Sequence, residues 1–314
     1  MVLAYPAVVR AVLVVNPRAT ATTAAGRDVL AYALASELKL EVVETDYRGH
    51  AMAAAARAAE DQIDLVVAHG GDGTVNEVVN GLLNGSHPAG RATPMLGVVP
   101  GGSANVFARA LGLPRNPIEA THRLLRALQE GRRRQVGLGT ADGRWFTFNA
   151  GVGWDADVVA EVDRKRTKQT SPGLYARTAA ACYLRPASSR PNLTIEVPGE
   201  PPSHAMRMAF VSNTDPWTYL GRRPVHLNKG CTFDGGLGLY ALSSLRPQTV
   251  FRHVLQSVSR RGEQRGDKLL RRDDVTRIRV TAERPVRLQV DGDLVGVRST
   301  VEFVSVPEAL TVAV

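Results

Sequence analysis

The sequence predicts two domains: an α/β nucleotide-binding domain, followed by a mainly antiparallel β domain. Three observations carry that expectation. From residue 8 to residue 130, apolar strand patterns alternate with helical ones, which implies a mostly parallel sheet covered on both sides. Near residue 135 helical periodicity becomes scarce, and short β-rich runs separated by Gly, Pro and Asp replace it. At 314 residues and 44% hydrophobic content, the chain is long enough for two cores. The boundaries expected are residues 1–135, rejoined by about 307–314, and residues 136–306, with a linker around 132–139.

In chain order, residues 8–15 are an apolar strand. Residues 26–39 place Leu30, Leu34 and Leu38 at spacings of four, as one helix face requires. A second strand (40–43) and an Ala-rich helix (49–60) lead to the strand Leu65-Val66-Val67-Ala68. The chain breaks at Gly70-Gly71-Asp72-Gly73-Thr74 and resumes as a helix with Val75, Val78, Val79, Leu82 and Leu83 on one face. A strand at 95–99 and helices at 104–111 and 118–130 complete the first domain. Strand runs follow at 145–149, 193–197, 206–212, 237–242, 275–281, 286–290 and 300–306, with helices at 155–165 and 247–260. Residues 310–314 are expected to return to the first domain.

Composition excludes several classes. Cys182 and Cys231 are the sole cysteines, so there is neither a disulfide framework nor a cysteine zinc site, as suits a reducing cytoplasm. No apolar run reaches the roughly 18 residues that span a bilayer. The net charge of +9 points to anionic partners. The basic clusters are Arg132-Arg133-Arg134, Arg164-Lys165-Arg166 with Lys168, Arg222-Arg223, Arg260-Arg261 with Arg265, and Lys268 with Arg271-Arg272. Aromatic residues make up just 5% of the chain, too few for stacking on single-stranded nucleic acid, and an acidic lipid surface is the better match. The chain is expected to be soluble or peripheral.

The chemistry concentrates in two glycine turns. Gly70-Gly71-Asp72-Gly73-Thr74 brings a bare backbone to a helix N-terminus, which favours an anion, and Asp72 there implies a divalent metal between it and phosphate oxygens. An ordinary strand–turn–helix is the other reading. Pro100-Gly101-Gly102-Ser103-Ala104-Asn105 repeats the arrangement, with Ser103 as N-cap or phosphate ligand; two such cradles suit a polyphosphate. There is no Gly-Lys-Ser/Thr, and no Gly-x-Gly-x-x-Gly between a strand and a helix. In the β domain, Cys231-Thr232-Phe233-Asp234-Gly235-Gly236 can hold a hard cation through oxygen ligands or form a plain hairpin turn. Val290-Asp291-Gly292-Asp293 is a favoured hairpin sequence or a site where Asp293 takes a proton from a substrate hydroxyl. Asp155, after Gly151-Val152-Gly153-Trp154, is a further acid, and His50 and His69 read as structural.

These stretches, with Asn16-Pro17, Gly49-His50-Ala51, Val75-Asn76-Glu77, Phe107-Ala108-Arg109 and Val306-Pro307-Glu308-Ala309-Leu310, resemble the diacylglycerol kinase catalytic family, which includes bacterial soluble lipid kinases and sphingosine kinases. The resemblance covers nearly the whole chain. It implies a three-layer ATP-binding domain, an antiparallel β-sandwich lipid domain and an active cleft between them. It puts ATP against Asn16, Pro17, Arg18, Ala19, Thr20, Thr45, Gly71, Asp72, Gly73, Thr74, Val75, Asn76, Glu77 and Ser103, with Asp72 acting on the phosphates through Mg2+. Asp234, with carbonyls near Cys231 and Gly236, matches the family's magnesium site; Asp293 matches the proposed base, and Asp155 an acid that holds the head group. Departures are Arg18-Ala19-Thr20 for the usual Ser-Gly, Ser103 for Thr, Asp293 for Glu, and Gly238 where an acid is common. The activity implied is ATP- and magnesium-dependent phosphorylation of a lipid hydroxyl, diacylglycerol first; the alternatives are a sphingoid-base or other lipid kinase, an NAD kinase-like enzyme, and a catalytically weak lipid- or nucleotide-binding homologue. The partners implied are ATP and a lipid at the inner face of an anionic cell membrane, with a homodimer allowed for and no nucleic acid.

Overall fold

The computed structural model describes residues 9–84, 92–154, 156–157, 192–221, 223–259 and 262–314. The chain divides into two units, Met1–Val136 with Leu310–Val314, and Gly137–Ala309. Of the expected helix at 155–165, residues 156–157 are described and are helical; its remaining residues, Asp155 among them, the cluster at 164–168, Cys182, Arg222 and Arg260-Arg261 lie outside the described residues.

The first unit is built on a parallel sheet in the order β2–β1–β3–β4, comprising β1 (Arg10–Val15), β2 (Lys39–Glu44), β3 (Leu65–Gly70) and β4 (Met95–Pro100). Successive strand side chains point to opposite faces. Ala11, Leu13, Val15, Leu65, Val67 and Val99 pack with Leu30 and Leu34 of α1 (Ala24–Ala35) and Leu124 of an outer helix at Pro117–Gln129. The alternate residues Val12, Val14, Val66 and Ala68 are equally buried; α2 (His50–Glu60) contacts β1, and α3 (Asp72–Asn84) contacts β3. Burial on both faces explains why these strands read as continuous apolar runs. The Ala-rich stretch has its own cause: Ala51, Ala55, Ala58 and Ala59 are buried on α2, and a Cβ at Gly81 of α3 would lie 2.2 Å from the Met52 carbonyl oxygen. Small residues on both helices let their backbones meet. A short α4 (Val106–Ala110) and α5 (Pro117–Gln129) follow; Asn116 caps α5 by accepting from the Ile118 amide at 2.8 Å, with Pro117 beginning the helix.

The second unit is antiparallel. Its strands are the end of β5 (Arg133–Ala141), β6 (Arg144–Phe146), β7 (Asn149–Gly153), β8 (Leu193–Glu196), β9 (Ser203–Met206), β10 (Met208–Ser212), β11 (Thr218–Leu220), β12 (Arg223–Val225), β13 (Leu237–Leu242), β14 (Leu269–Val275), β15 (Arg277–Val290) and most of β16 (Asp293–Ala313). One set runs β14–β13–β10–β7–β15, and a second runs β9–β8–β15–β16. The long β15 serves both, with a register shift between Thr281 and Val286. Both sets feed one core that includes Val152, Ile195, Val211, Leu237, Ile278 and Leu288, where Phe146 and Phe303 meet edge to face. One helix, α6 (Pro247–Ser257), lies between β13 and β14 in sequence. At its far end β16 rejoins the first unit, with Val312 parallel to Leu96.

Several expected boundaries move. Residues 132–139, expected as a linker, are largely strand β5, in which Val136 and Leu138 are fully buried. Gly139 is bare because the Phe146 ring occupies its side-chain space, 2.1 Å from where a Cβ would stand. The runs at 145–149 and 206–212 each split into two strands, whereas 275–281 and 286–290 merge into β15. The helix expected over 104–111 shrinks to 106–110. No described helix is long and apolar enough to cross a membrane.

Candidate active site

The parallel strands β1, β3 and β4 end on one edge, and the strand order reverses between β1 and β3, where open α/β sheets leave a crevice. The loop expected after β3 is tighter than the sequence suggests. The strand runs through Gly70, Gly71 is the single intervening residue, and α3 begins at Asp72. The Gly71 carbonyl accepts the Thr74 and Val75 amides at 3.0 and 3.1 Å, so Asp72, Gly73 and Thr74 form the helix's first turn.

Backbone bonds stitch three loops together. The Asn16 amide donates to the His69 carbonyl at 2.9 Å, the Gly101 amide to the Gly70 carbonyl at 2.7 Å, and the Ala21 amide to the Gly101 carbonyl at 2.7 Å. A Cβ at Gly102 would stand 2.6 Å from the Gly71 Cα, and one at Gly101 would stand 3.1 Å from the Gly70 Cα. The two glycine pairs therefore fit against each other, a use the sequence reading assigned to a ligand alone. Gly71, Asp72, Gly73 and Gly102 remain half-exposed, and Ser103 is exposed.

Side chains lock the arrangement. His69 is 2% exposed, and burial lowers its pKa, so it stays neutral at physiological pH. Its Nδ1 lies 3.1 Å from the Val99 carbonyl and so carries the proton, leaving Nε2, 3.3 Å away, to accept from the Thr22 hydroxyl. The Asn16 side chain accepts the Arg18 amide at 2.9 Å and donates to Thr74 Oγ1 at 3.2 Å. Asp72 Oδ1 accepts the Phe107 amide at 3.2 Å, so the anion at the start of α4 is the protein's own carboxylate. Asn105, at φ 48°, holds the N-cap position expected for Ser103, and its side chain bonds both the amide and the carbonyl of Gly102. Glu77 accepts the Gly49 amide at 2.9 Å, and the Thr45 amide donates to the Val15 carbonyl at 2.8 Å. Pro17, Arg18 and Thr20 are exposed and Ala19 half-buried, while Thr74, Val75 and Asn76 are buried on α3. Asn105 carried a legible signal, since Asn tolerates left-handed backbone. Thr22 carried none.

In the second unit the acids have structural partners. Asp291 and Gly292, both at positive φ, form the two-residue turn between β15 and β16, so the hairpin reading holds. Asp291 is buried. Its carboxylate accepts the Thr147, Phe148 and Asn149 amides at 2.7, 3.0 and 3.0 Å and the Thr147 hydroxyl at 2.8 Å. Burial raises its pKa against the pull of those donors. Asp293, half-buried, pairs with Val290 across the hairpin. Asp234 is exposed; the Gly236 amide donates to Asp274 Oδ1 at 2.6 Å, and the Cys231 carbonyl accepts the Asp215 amide at 3.2 Å. A Cβ at Gly238 would stand 2.2 Å from the Cys231 sulfur, which fills the space an acidic side chain would need. No group of three His, Cys, Asp or Glu side chains suited to a metal occurs among the described residues.

Comparison with known proteins agrees with this fold. Residues 10–141 match the diacylglycerol kinase catalytic domain. The chain is 29% identical to the diacylglycerol kinase of Bacillus subtilis (strain 168) over 253 residues, 80% of this chain and 78% of that one. It is 39% identical over 127 residues to a probable lipid kinase YegS-like protein of Chromohalobacter salexigens, and 31% over 156 residues to a diacylglycerol kinase of Staphylococcus carnosus, spanning 39% and 47% of those proteins. A crystal structure of a diacylglycerol kinase from Bacillus anthracis str. Sterne shares the fold at TM-score 0.71 and 19% identity, covering 98% of both chains. An NAD kinase from Archaeoglobus fulgidus in complex with ATP aligns at TM-score 0.51 and 13% identity, over 97% of this chain and 93% of that one. Residues 10–141, then, are similar to the diacylglycerol kinase catalytic domain, and the relative aligned over most of this chain is a diacylglycerol kinase.

Proposed function

We propose that the protein transfers the γ-phosphoryl group of ATP to a lipid hydroxyl, with magnesium as cofactor and diacylglycerol as the first substrate. The observation that carries this reading is the stitching of three strand-end loops around the half-exposed Asp72 at the start of a 13-residue helix. In this reading Asn16–Thr20, Thr45, Gly71–Glu77 and Ser103 surround the nucleotide, with main-chain amides at the start of α3 facing phosphate. The Asn16–Thr74 bond fixes two of those groups relative to each other. Buried Val75 and Asn76 act through the helix they anchor.

The donor set suits a hard cation. Within the second unit, Asp234 offers a carboxylate, Gly236 a carbonyl, and the Cys231 carbonyl keeps a second lone pair beside its bond from Asp215; within the first unit, Asp72 offers a carboxylate to a cation on the phosphates. Magnesium, when bound, neutralises phosphate charge during transfer. Asp293 accepts the proton of the attacking lipid hydroxyl, and being one methylene shorter than Glu, it must approach that hydroxyl more closely. Asp155 holds the head group. The protein would work as a peripheral enzyme at the cytoplasmic face of the cell membrane, with a homodimer allowed for.

Incubation with labelled ATP, magnesium and a total lipid extract tests the reading, with diacylglycerol micelles and NAD as separate acceptors. Label is expected in a phosphorylated diacylglycerol. Label in NAD alone, or ATP binding with no labelled lipid, overturns it.

A further inference from the structure

Helix α6, which carries none of the residues assigned above, turns an apolar face to solvent. Phe251 is 65% exposed, Val254 53% and Leu255 52%. At about 100° per residue, these three and half-buried Val258 fall within an arc of about 100°. His253 and Ser257 point the other way and are buried. Solvent exposure of three large hydrophobic side chains on one 11-residue helix is a contiguous apolar patch, and such patches mark interaction surfaces.

Alongside the same helix lies a pocket of about 620 Å³ with Arg207, Arg246, Arg252 and Lys268 in its wall and Asp267 as its single carboxylate. Lys268 Nζ is 3.8 Å from that carboxylate. Arg246 and Arg252 are exposed, and among the described residues no acid pairs with either. Gln248 and Thr249, in the first turn of α6, also line the pocket, and the cap residue Arg246 offers that turn no side-chain acceptor. Cations and hydroxyls around a cavity, next to an apolar stripe, complement the chemistry of a phospholipid: the cavity its phosphate, the stripe its acyl chains.

We infer that α6 docks the protein on an anionic bilayer, its apolar stripe entering the interfacial layer and its pocket taking a lipid phosphate head group. Apolar insertion and cationic attraction are each weak alone and anchor together. A second copy of the chain is the poorer occupant. It would bring the same four cations to the face and set like charges against each other across an isologous contact.

Flotation of the purified full chain with phosphatidylcholine–phosphatidylglycerol vesicles, against phosphatidylcholine vesicles, tests this. Wild type is expected to float with the acidic vesicles. Phe251→Ser with Leu255→Ser, and separately Arg246→Gln with Arg252→Gln, are expected to lower partitioning on the order of tenfold. All four positions are solvent-exposed, so circular dichroism should be unchanged. Soluble glycerol phosphate should not displace the bound protein, which separates a bilayer from a free phosphate. Either pair floating like wild type overturns the inference. So does a shift from dimer to monomer in the Phe251/Leu255 variant with flotation unchanged, which would make the face an interface between copies. Flotation needs no nucleotide. A chain that floats but transfers no phosphate therefore refutes the kinase reading alone, and one that phosphorylates micellar lipid without floating refutes this one alone.

Discussion

The glycine turns of the first unit and the acidic turns of the second solve opposite problems. Around Gly70-Gly71 and Gly101-Gly102, main chain meets main chain, and order comes from amide–carbonyl bonds between loops. Around Asp291 a carboxylate gathers three neighbouring amides, and around Asp274 a carboxylate holds the amide of Gly236. The first arrangement tolerates no side chain, whereas the second depends on one. Substitutions should therefore fail for opposite reasons in the two places.

The widest separation should be seen in turnover. Asp72→Ala is expected to abolish lipid phosphorylation, a loss of a thousandfold or more, worth about 4 kcal/mol in barrier. Asp293→Ala should leave a measurable rate, about a hundredfold below wild type, since a base contributes less. Single-turnover assays with labelled ATP measure both, and an active Asp72→Ala enzyme would remove the glycine turn from the chemistry. In stability, Asp291→Ala should cost about 4 kcal/mol by urea unfolding, because three amides and a hydroxyl lose their acceptor inside the core. Gly102→Ala should cost about 2 kcal/mol, because the new methyl meets backbone that cannot rotate away. If Gly102→Ala is neutral, the two loops are less tightly joined than their bonds indicate.

Smaller effects sharpen the contrast. Burial depresses the folded-state pKa of His69, so the unfolded chain binds its proton more strongly. Its contribution to stability is therefore present above the ordinary value of 6.5 and lost as pH falls below it. Wild type should lose more stability than His69→Gln between neutral pH and pH 5, a difference read from paired urea titrations. In the second unit, burial above all pushes the Cys231 thiol up to about 12. Iodoacetamide at pH 8 should leave Cys231 unmodified until the fold opens, as mass spectrometry of its peptide would report.

Much of the first unit was legible because its sheet is covered on both faces, so strands appear as apolar runs and helices as periodic ones. The second unit was harder. Gly137 and Gly139 look like a linker, although Gly139 is bare to admit the Phe146 ring. Strands β15 and β16 run past the polar breaks that seem to divide them, because each bends and carries on. In the site, the glycine turns were visible but their mutual contact was not, since one-dimensional spacing cannot show which bare backbones face each other. Nor could spacing distinguish the buried carboxylate that clamps a neighbouring strand, Asp291, from the half-buried one two residues on, Asp293.

The seam between α2 and α3 bears on how the first unit responds to force. With alanine on one side, Gly81 on the other, and Glu77 bonded across to Gly49, the backbones of the two helices pack closely against each other. They act as a single stiff slab. A molecule pressing on the turn at Gly71 is thus felt at the start of α2, and the first unit would recognise its ligand by the shape it already has rather than by wrapping around it.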